Sequence, residues 1–186
     1  MQAAMAPPKA QEIGCAVEEF LLPNINGREQ SLSRFLDGKK GAVVLFWSGV
    51  CSHCARYDEY LNSFGRRHPE LPVVAVASRH GETPEQIRKT VAERGLSFPI
   101  LHDAGSAVAG LWLTRQTPRA FLIGDNRTLL YRGAIDNFKY PDDPQCAPYL
   151  ERAIAEYLAG QPVARAETAG FGCAIQSVYY ILPKSL

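Results

Sequence analysis

Two short runs without a polar residue, Ala42–Trp47 (AVVLFW) and Val73–Ala77 (VVAVA), constrain the fold of this chain most tightly. Each is too short for a buried helix and too uniformly apolar for a strand with one wet face. Each therefore reads as a strand buried on both sides. Between them, from Cys51 onward, the period changes: Tyr57, Tyr60, Leu61 and Phe64 fall at i, i+3, i+4 and i+7 and give one apolar helix face. Strand, helix, strand in that order predicts a parallel pair with a helical crossover.

The remaining segments extend this unit. Thr83-Pro84-Glu85-Gln86 predicts a helix start, with Thr83 capping, Pro84 at the first helical position and Gln86 reaching back. Gly95 ends that helix. Phe98–Leu101 reads as a short strand, and Ala104–Trp112 as a short helix with Ala107, Val108, Leu111 and Trp112 inward. Arg119–Ile123 and Leu129–Arg132 form a strand pair around the turn Gly124-Asp125-Asn126. Leu150, Ile154, Tyr157 and Leu158 mark a last helix, stopped near Gly160. Upstream, Phe20–Leu22 and Glu29–Leu32 flank Pro23–Gly27 as a hairpin, with Asn26-Gly27 as its tight turn. The order predicts an α/β fold, a central mixed β-sheet flanked by helices, with an N-terminal β-hairpin. Residues 1–12 are expected as a flexible arm, 13–160 as one domain, and 161–186 as a C-terminal extension packed on it, irregular except for a strand at Ala174–Leu182.

Composition narrows the function. With 186 residues, 46% of them hydrophobic, the chain can bury a core without staples. Lys and Arg number 20 against 19 Asp and Glu, a net charge of +1 that gives no electrostatic reason to expect a nucleic acid. No run reaches the roughly 18 apolar residues of a membrane span. Met1–Ala10 lacks the basic and apolar segments of a secretion signal, which suits a cytoplasmic chain or an exported one whose signal has been removed. The five cysteines are an odd number, so at least one stands outside any intramolecular pairing.

Cys51 and Cys54, in Cys51-Ser52-His53-Cys54, lie where the buried strand ends and the helix begins. A helix N-terminus carries partial positive charge and free N–H groups, and both favour a thiolate at Cys51. Cys54, one turn on, is expected to be more buried and able to attack a mixed disulfide at Cys51. His53, when protonated, would add positive charge. A zinc clip is the competing reading, but it needs two further ligands. The chain has no second CxxC and no HxxxH, so His68 or His102 would have to come in from elsewhere.

"VVLFWSGVCSHC", followed by "QTPRAFLIGDNRTLLYRG", resembles the thioredoxin fold and, more narrowly, its redoxin branch of AhpC/TSA, TlpA and ResA-like thiol–disulfide proteins, over residues 13–160. The resemblance implies a thioredoxin-like fold and a thiol–disulfide oxidoreductase with no bound cofactor. Its partners would be protein thiol or disulfide substrates and a redox partner protein, in the bacterial periplasm or cell envelope. Cys51 would attack and Cys54 resolve. Pro118 would be cis and face the pair, Thr117 would offer backbone hydrogen bonds to an extended substrate segment, and Trp47 would shield one side.

The sequence also departs from those relatives. Leu45 stands where thioredoxins carry a buried Asp, and Tyr57 where ResA-like proteins carry a Glu. His53 replaces the Pro of thioredoxin's CGPC and resembles the CxHC of DsbA-type oxidants, which implies a less reducing pair.

The same family contains peroxiredoxins, whose nucleophile follows a P-x3-T/S-x2-C pattern. Both the Pro and the Thr are missing before Cys51. Ser48, three before Cys51, could mimic the Thr hydroxyl but reads more readily as a solvated loop serine. Arg119 is a candidate cation near the site but more readily a surface strand residue. A thiol peroxidase of the AhpC/TSA type is therefore the alternative rather than the leading reading. A copper-binding role of the SCO type would pair the cysteines with His102, but those proteins place three residues between their cysteines. "YRGAIDN" and "YLAGQPVARAETAGFGCAI" resemble a redoxin subgroup in which a Thr and a Gly-Cys recur after the last helix, here Thr168, Gly172 and Cys173. Three readings of Cys173 stay open: a third redox thiol resolving Cys51, a structural disulfide, or a buried hydrophobe. Cys15 and Cys146 read as incidental or structurally paired.

Overall fold

In the computed structural model, which describes residues 11–140 and 142–175, both all-apolar runs are central strands. The chain runs through the hairpin β1 (Leu21–Pro23) and β2 (Glu29–Ser31), then α1 (Leu32–Leu36), β3 (Gly41–Trp47), α2 (Ser52–Ala55), α3 (Asp58–Arg67) and β4 (Val73–Ala77). It continues through α4 (Pro84–Arg94), β5 (Ile100–His102), α5 (Ala107–Leu111), β6 (Gln116–Thr117), β7 (Arg119–Gly124), β8 (Leu129–Gly133), α6 (Tyr149–Leu158) and β9 (Cys173–Ala174). The main sheet has the order β5-β4-β3-β7-β8. β3, β4 and β5 are parallel, whereas β7 runs antiparallel to both β3 and β8. This is the mixed sheet of a thioredoxin-like fold.

The lack of polar residues in β3 follows from its position. Val43, Leu45 and Trp47 face a core with Leu61 and Phe64 of α3, Ile87 of α4, and Leu150, Ala153 and Ile154 of α6. Ala42, Val44 and Phe46 face the opposite core, with Leu32 and Leu36 of α1, Val108 and Ala109 of α5, and Trp112. A strand covered on both faces has no wet side for a polar residue. Trp112 locks the second core, its ring 5.8 Å from that of Phe46 and 5.2 Å from that of Phe121.

The structure revises several expectations. The helix expected to run on from Cys51 is broken. Cys54 N bonds Cys51 O at 3.0 Å and Tyr57 N bonds Cys54 O at 3.0 Å, so the first turns are wound tightly, with i→i−3 bonds. Tyr57 leaves helical geometry at φ −103°, ψ 12°, and α3 starts afresh at Asp58. Around α5, a 3₁₀ turn over Ala104–Ser106 and a left-handed Ser106 (φ 59°) reset the inward face. Val108, Ala109 and Trp112 are buried, Leu111 is half-buried, and Ala107 is exposed. The chain is held from Gln11 onward, inside the span expected as a loose arm. Gln11 is 5% exposed, and its side chain accepts from Glu18 N at 3.3 Å.

Beyond α6 the chain returns to the sheet. Arg132 N bonds Ala166 O at 2.9 Å, and Thr168 N bonds Arg132 O at 3.2 Å. The Thr168 hydroxyl lies 2.6 Å from the Tyr131 hydroxyl and accepts from Ala134 N at 3.0 Å. β9 then pairs antiparallel with β6. The strand expected at Ala174–Leu182 is thus seen only at its start, one residue early, and 176–182 lie outside the described residues.

Candidate active site

The loop that follows β3 is gripped from two sides. Gly49 N donates to Glu82 Oε1 at 2.7 Å, and Arg94 Nη1 donates to Gly49 O at 2.8 Å. Arg94 is itself fixed by both carboxylate oxygens of Asp58, one at 2.7 Å. A Cβ on Gly49 would lie 2.8 Å from Glu82 Oε1 and 3.0 Å from Thr90 Oγ1, so a larger residue would displace the side chains that hold this loop. Ser48 is fully buried, which corrects its reading as a solvated serine. Burial pushes the Glu82 carboxyl above the usual range, against the opposing pull of Ser48 and the Gly49 amide. Trp47 is fully buried too, edge-on to Phe98 at 6.2 Å. It belongs to the core cluster that contains both cysteines.

Cys51 caps α2 with extended backbone, φ −85° and ψ 115°. Its residue is 1% exposed and that of Cys54 0%. Both thiols are free. The Cys51 thiol donates to Thr117 O at 3.4 Å. As a thiolate it is better served: the Cys54 thiol, then Cys173 and the Thr117 side chain, hydrogen-bond to it and bring its pKa down to about 4 against the opposing effect of burial. Cys54 moves the other way. Burial first, and its bond to Cys51 second, push it well above the ordinary thiol value. The site thus separates its two sulfurs into a ready thiolate and a retained proton. α2 has only four residues, and neighbouring side chains outweigh the helix terminus of the sequence reading, which contributes through the Cys54 backbone N–H. The His53 ring packs on Phe138, centroids 5.1 Å apart, and the strongest influences on Cys51 do not include it.

Across from the pair, the Thr117–Pro118 peptide is cis and Thr117 is 1% exposed. Its strand β6 is already paired: Thr117 lies opposite Cys173, and its hydroxyl donates to Cys173 O at 3.5 Å. A Cβ on Gly172 would fall 1.8 Å from Thr117 O, so only glycine allows the two backbones this close. Burial and the neighbouring Cys51 both raise the Cys173 thiol. The sequence left Cys173 with three readings; the structure places it beside Cys51.

The other candidates fall elsewhere. Arg119 is half-buried and lies against Gly170, with Arg132 and Glu167 as its charged neighbours. His102 ends β5 and bonds Glu82 O at 2.9 Å through Nε2. Among the described residues, no group of three or more His, Cys, Asp or Glu side chains is arranged to hold a metal ion. Cys15 is exposed and Cys146 half-buried, each a free thiol. Leu45 is buried in β3 and brings no carboxylate. Tyr57, however, reaches one, donating to Asp136 Oδ1 at 2.8 Å. Glu82, Arg94 and Asp136 were missed from the sequence. Each joins the site region across 33 to 79 residues, from positions where a charged residue looks like ordinary surface.

The chain matches the AhpC/TSA family over residues 13–132. Among curated relatives, the thiol–disulfide oxidoreductase ResA of Bacillus anthracis is 28% identical over 122 residues, 66% of this chain and 69% of that protein. ResA of Geobacillus thermodenitrificans is 29% identical over 117 residues, 63% of this chain and 66% of its own length. Among solved structures, a hypothetical protein of Sinorhizobium meliloti 1021 aligns with a TM-score of 0.80 at 27% identity, covering 92% of this chain and 97% of its own.

Proposed function

The chain belongs to the AhpC/TSA family, and we propose that it exchanges disulfides with protein substrates through Cys51 and Cys54. That it is an oxidoreductase follows from the family and from the thiol–disulfide oxidoreductases among its relatives. The observation that carries the finer reading is the opposed pair of thiols. Cys51 is held as a thiolate by the Cys54 proton, and Cys54 keeps that proton until it is needed.

In this reading the Cys51 thiolate attacks a substrate disulfide. One substrate sulfur leaves as a thiolate and takes up a proton. Cys54 then loses its proton and attacks Cys51, releasing the second substrate thiol and closing the Cys51–Cys54 disulfide. The reverse sequence passes the disulfide on. A thiolate near 4 favours the reverse direction, because a stable thiolate leaves a disulfide readily. The β6 edge on which the resemblance has Thr117 seat a substrate chain is filled by β9, so a partner would meet the rim of the site first. The exposed apolar side chains of Val50 beside Cys51, of Phe138 on His53 and of Phe171 near Cys173 give a protein partner a surface to meet.

The test is a redox titration with alkylation and mass mapping. A single two-electron transition confined to Cys51 and Cys54, and loss of exchange with a disulfide-bonded protein in Cys51→Ser, are expected. If both thiols stay separately alkylatable at every potential, the proposal is wrong.

A further inference from the structure

The three sulfurs at the site differ in access. Cys51 and Cys54 are 1% and 0% exposed, whereas Cys173 is half-buried and carried on a two-residue strand. Thr117 links them: its carbonyl accepts from the Cys51 thiol at 3.4 Å, and it stands directly opposite Cys173 in the β6–β9 ladder. Residues directly opposite in an antiparallel ladder have Cα atoms about 4.5–5.5 Å apart. Gly172 allows the close approach that brings Cys173 there. β9 also occupies the β6 backbone against which an incoming segment would otherwise pair. An outside thiol therefore meets Cys173 before it meets either buried sulfur.

We propose that Cys173 is a third exchange thiol, which carries the disulfide between the buried Cys51–Cys54 pair and outside thiols. The inference rests on the reading of Cys51 and Cys54 as an exchanging pair. Starting from the Cys51–Cys54 disulfide, the Cys173 thiol gives up its proton and attacks the Cys51 sulfur. The Cys51–Cys173 bond forms, the Cys51–Cys54 bond breaks, and Cys54 leaves as a thiolate that takes up the proton. One disulfide is present before and one after, so the step needs no oxidant beyond the one that made the first. An outside thiolate then attacks the Cys173 sulfur, forming a mixed disulfide and freeing Cys51 as its stabilised thiolate. The lowered Cys51 value favours the second step, in which Cys51 is the sulfur expelled; the first step expels Cys54 and is carried by the placement of Cys173 beside Cys51.

Two measurements on the full chain test it. In Cys54→Ser treated with oxidised glutathione, mass mapping should find Cys51 joined to Cys173. If Cys51 instead stays free or glutathionylated while Cys173 remains alkylatable, the proposal fails. In Cys173→Ser, which keeps a donor beside Cys51, reduction of the Cys51–Cys54 disulfide by glutathione should slow at least tenfold, with its potential little changed. Cys173→Ala should slow it as much while also removing a hydrogen bond from the Cys51 thiolate. An equal or faster rate would make β9 a displaceable cover instead, and overturn the relay. Failure of both measurements while the wild-type Cys51–Cys54 disulfide still titrates normally would sink the relay alone. Absence of that disulfide would sink the underlying reading with it.

Discussion

Removing the Cys54 thiol should cost Cys51 its strongest thiolate partner. Cys51 is brought to about 4, and the Cys54 hydrogen bond is the largest cause. A hydrogen bond to a charged group contributes about 1.5–3 kcal/mol, and one pH unit corresponds to about 1.36 kcal/mol. Cys54→Ala should therefore carry the Cys51 midpoint up by about one to two pH units. Cys54→Ser keeps a donor in place and should hold the midpoint close to that of the native chain. The assay is the pH dependence of Cys51 alkylation by iodoacetamide, read on the Cys51 peptide by mass spectrometry. A second sign should accompany the first: the high-pH plateau rate rises in the alanine variant, because a less stabilised thiolate is the stronger nucleophile. The same substitution changes how stability of the reduced protein depends on pH. The lowered Cys51 value contributes stability fully above the unfolded thiol value of about 8.5 and loses it as pH falls through the folded value; Cys54→Ala shrinks that contribution. A Cys54→Ala midpoint that stays near the native one would refute the argument and return the thiolate to the backbone of the α2 turn.

Three further outcomes follow from contacts described above. Thr168→Val strips the acceptor from the buried Ala134 N–H and should destabilise the chain by about 1–3 kcal/mol in urea unfolding, with Thr168→Ser recovering most of it; unchanged stability would remove the hydroxyl from the account. Gly172→Ala places a methyl group 1.8 Å from Thr117 O and should release β9, so that the Cys173–Ile175 amides exchange rapidly while global unfolding barely moves; retained protection would count against the close approach. Glu82→Gln keeps an oxygen for Gly49 N–H without the charge that burial disfavours. Because the Glu82 carboxyl is raised in the folded state, native stability falls as pH rises from the ordinary Glu value, about 4.3, through the folded one. The variant should therefore be the more stable at neutral pH and lose that advantage in acid, and equal urea midpoints at neutral pH would contradict it.

The parts of this fold that the sequence made legible are those set by local pattern. The VVAVA and AVVLFW runs could only be two-sided strands. Thr83 and Gln86 form the capping box that their spacing predicts, and Gly95 ends α4 in the left-handed conformation. The break at Tyr57 was not legible, because the apolar period continues across it; tight i→i−3 bonds at Cys54 and Tyr57 make the bend without changing the spacing of buried residues. The site divides the same way. Cys51, Cys54, Thr117 and Pro118 come together from two recognisable motifs. Their strongest electrostatic partner outside the pair, Cys173, could be listed but not placed, since nothing local says that Gly172 leads it onto β6. Glu82 and Arg94 act on the site through one backbone unit, Gly49, and a glycine in a loop carries no sequence mark of being held.

The β6–β9 pairing also gives the site a schedule. Cys173 follows Thr117 by 56 residues, and at about 5–20 residues per second the ribosome needs about 3–11 seconds to add them. Throughout that interval β3, β4, β6 and the cysteine pair are already synthesised, while the strand that completes the β6 edge is not. A bare edge beside two cysteines is open to pairing with a neighbouring chain and to premature oxidation. Among the described residues β9 is the last strand to be made and also the one that covers the β6 edge, so that exposure lasts until the chain beyond α6 has been synthesised.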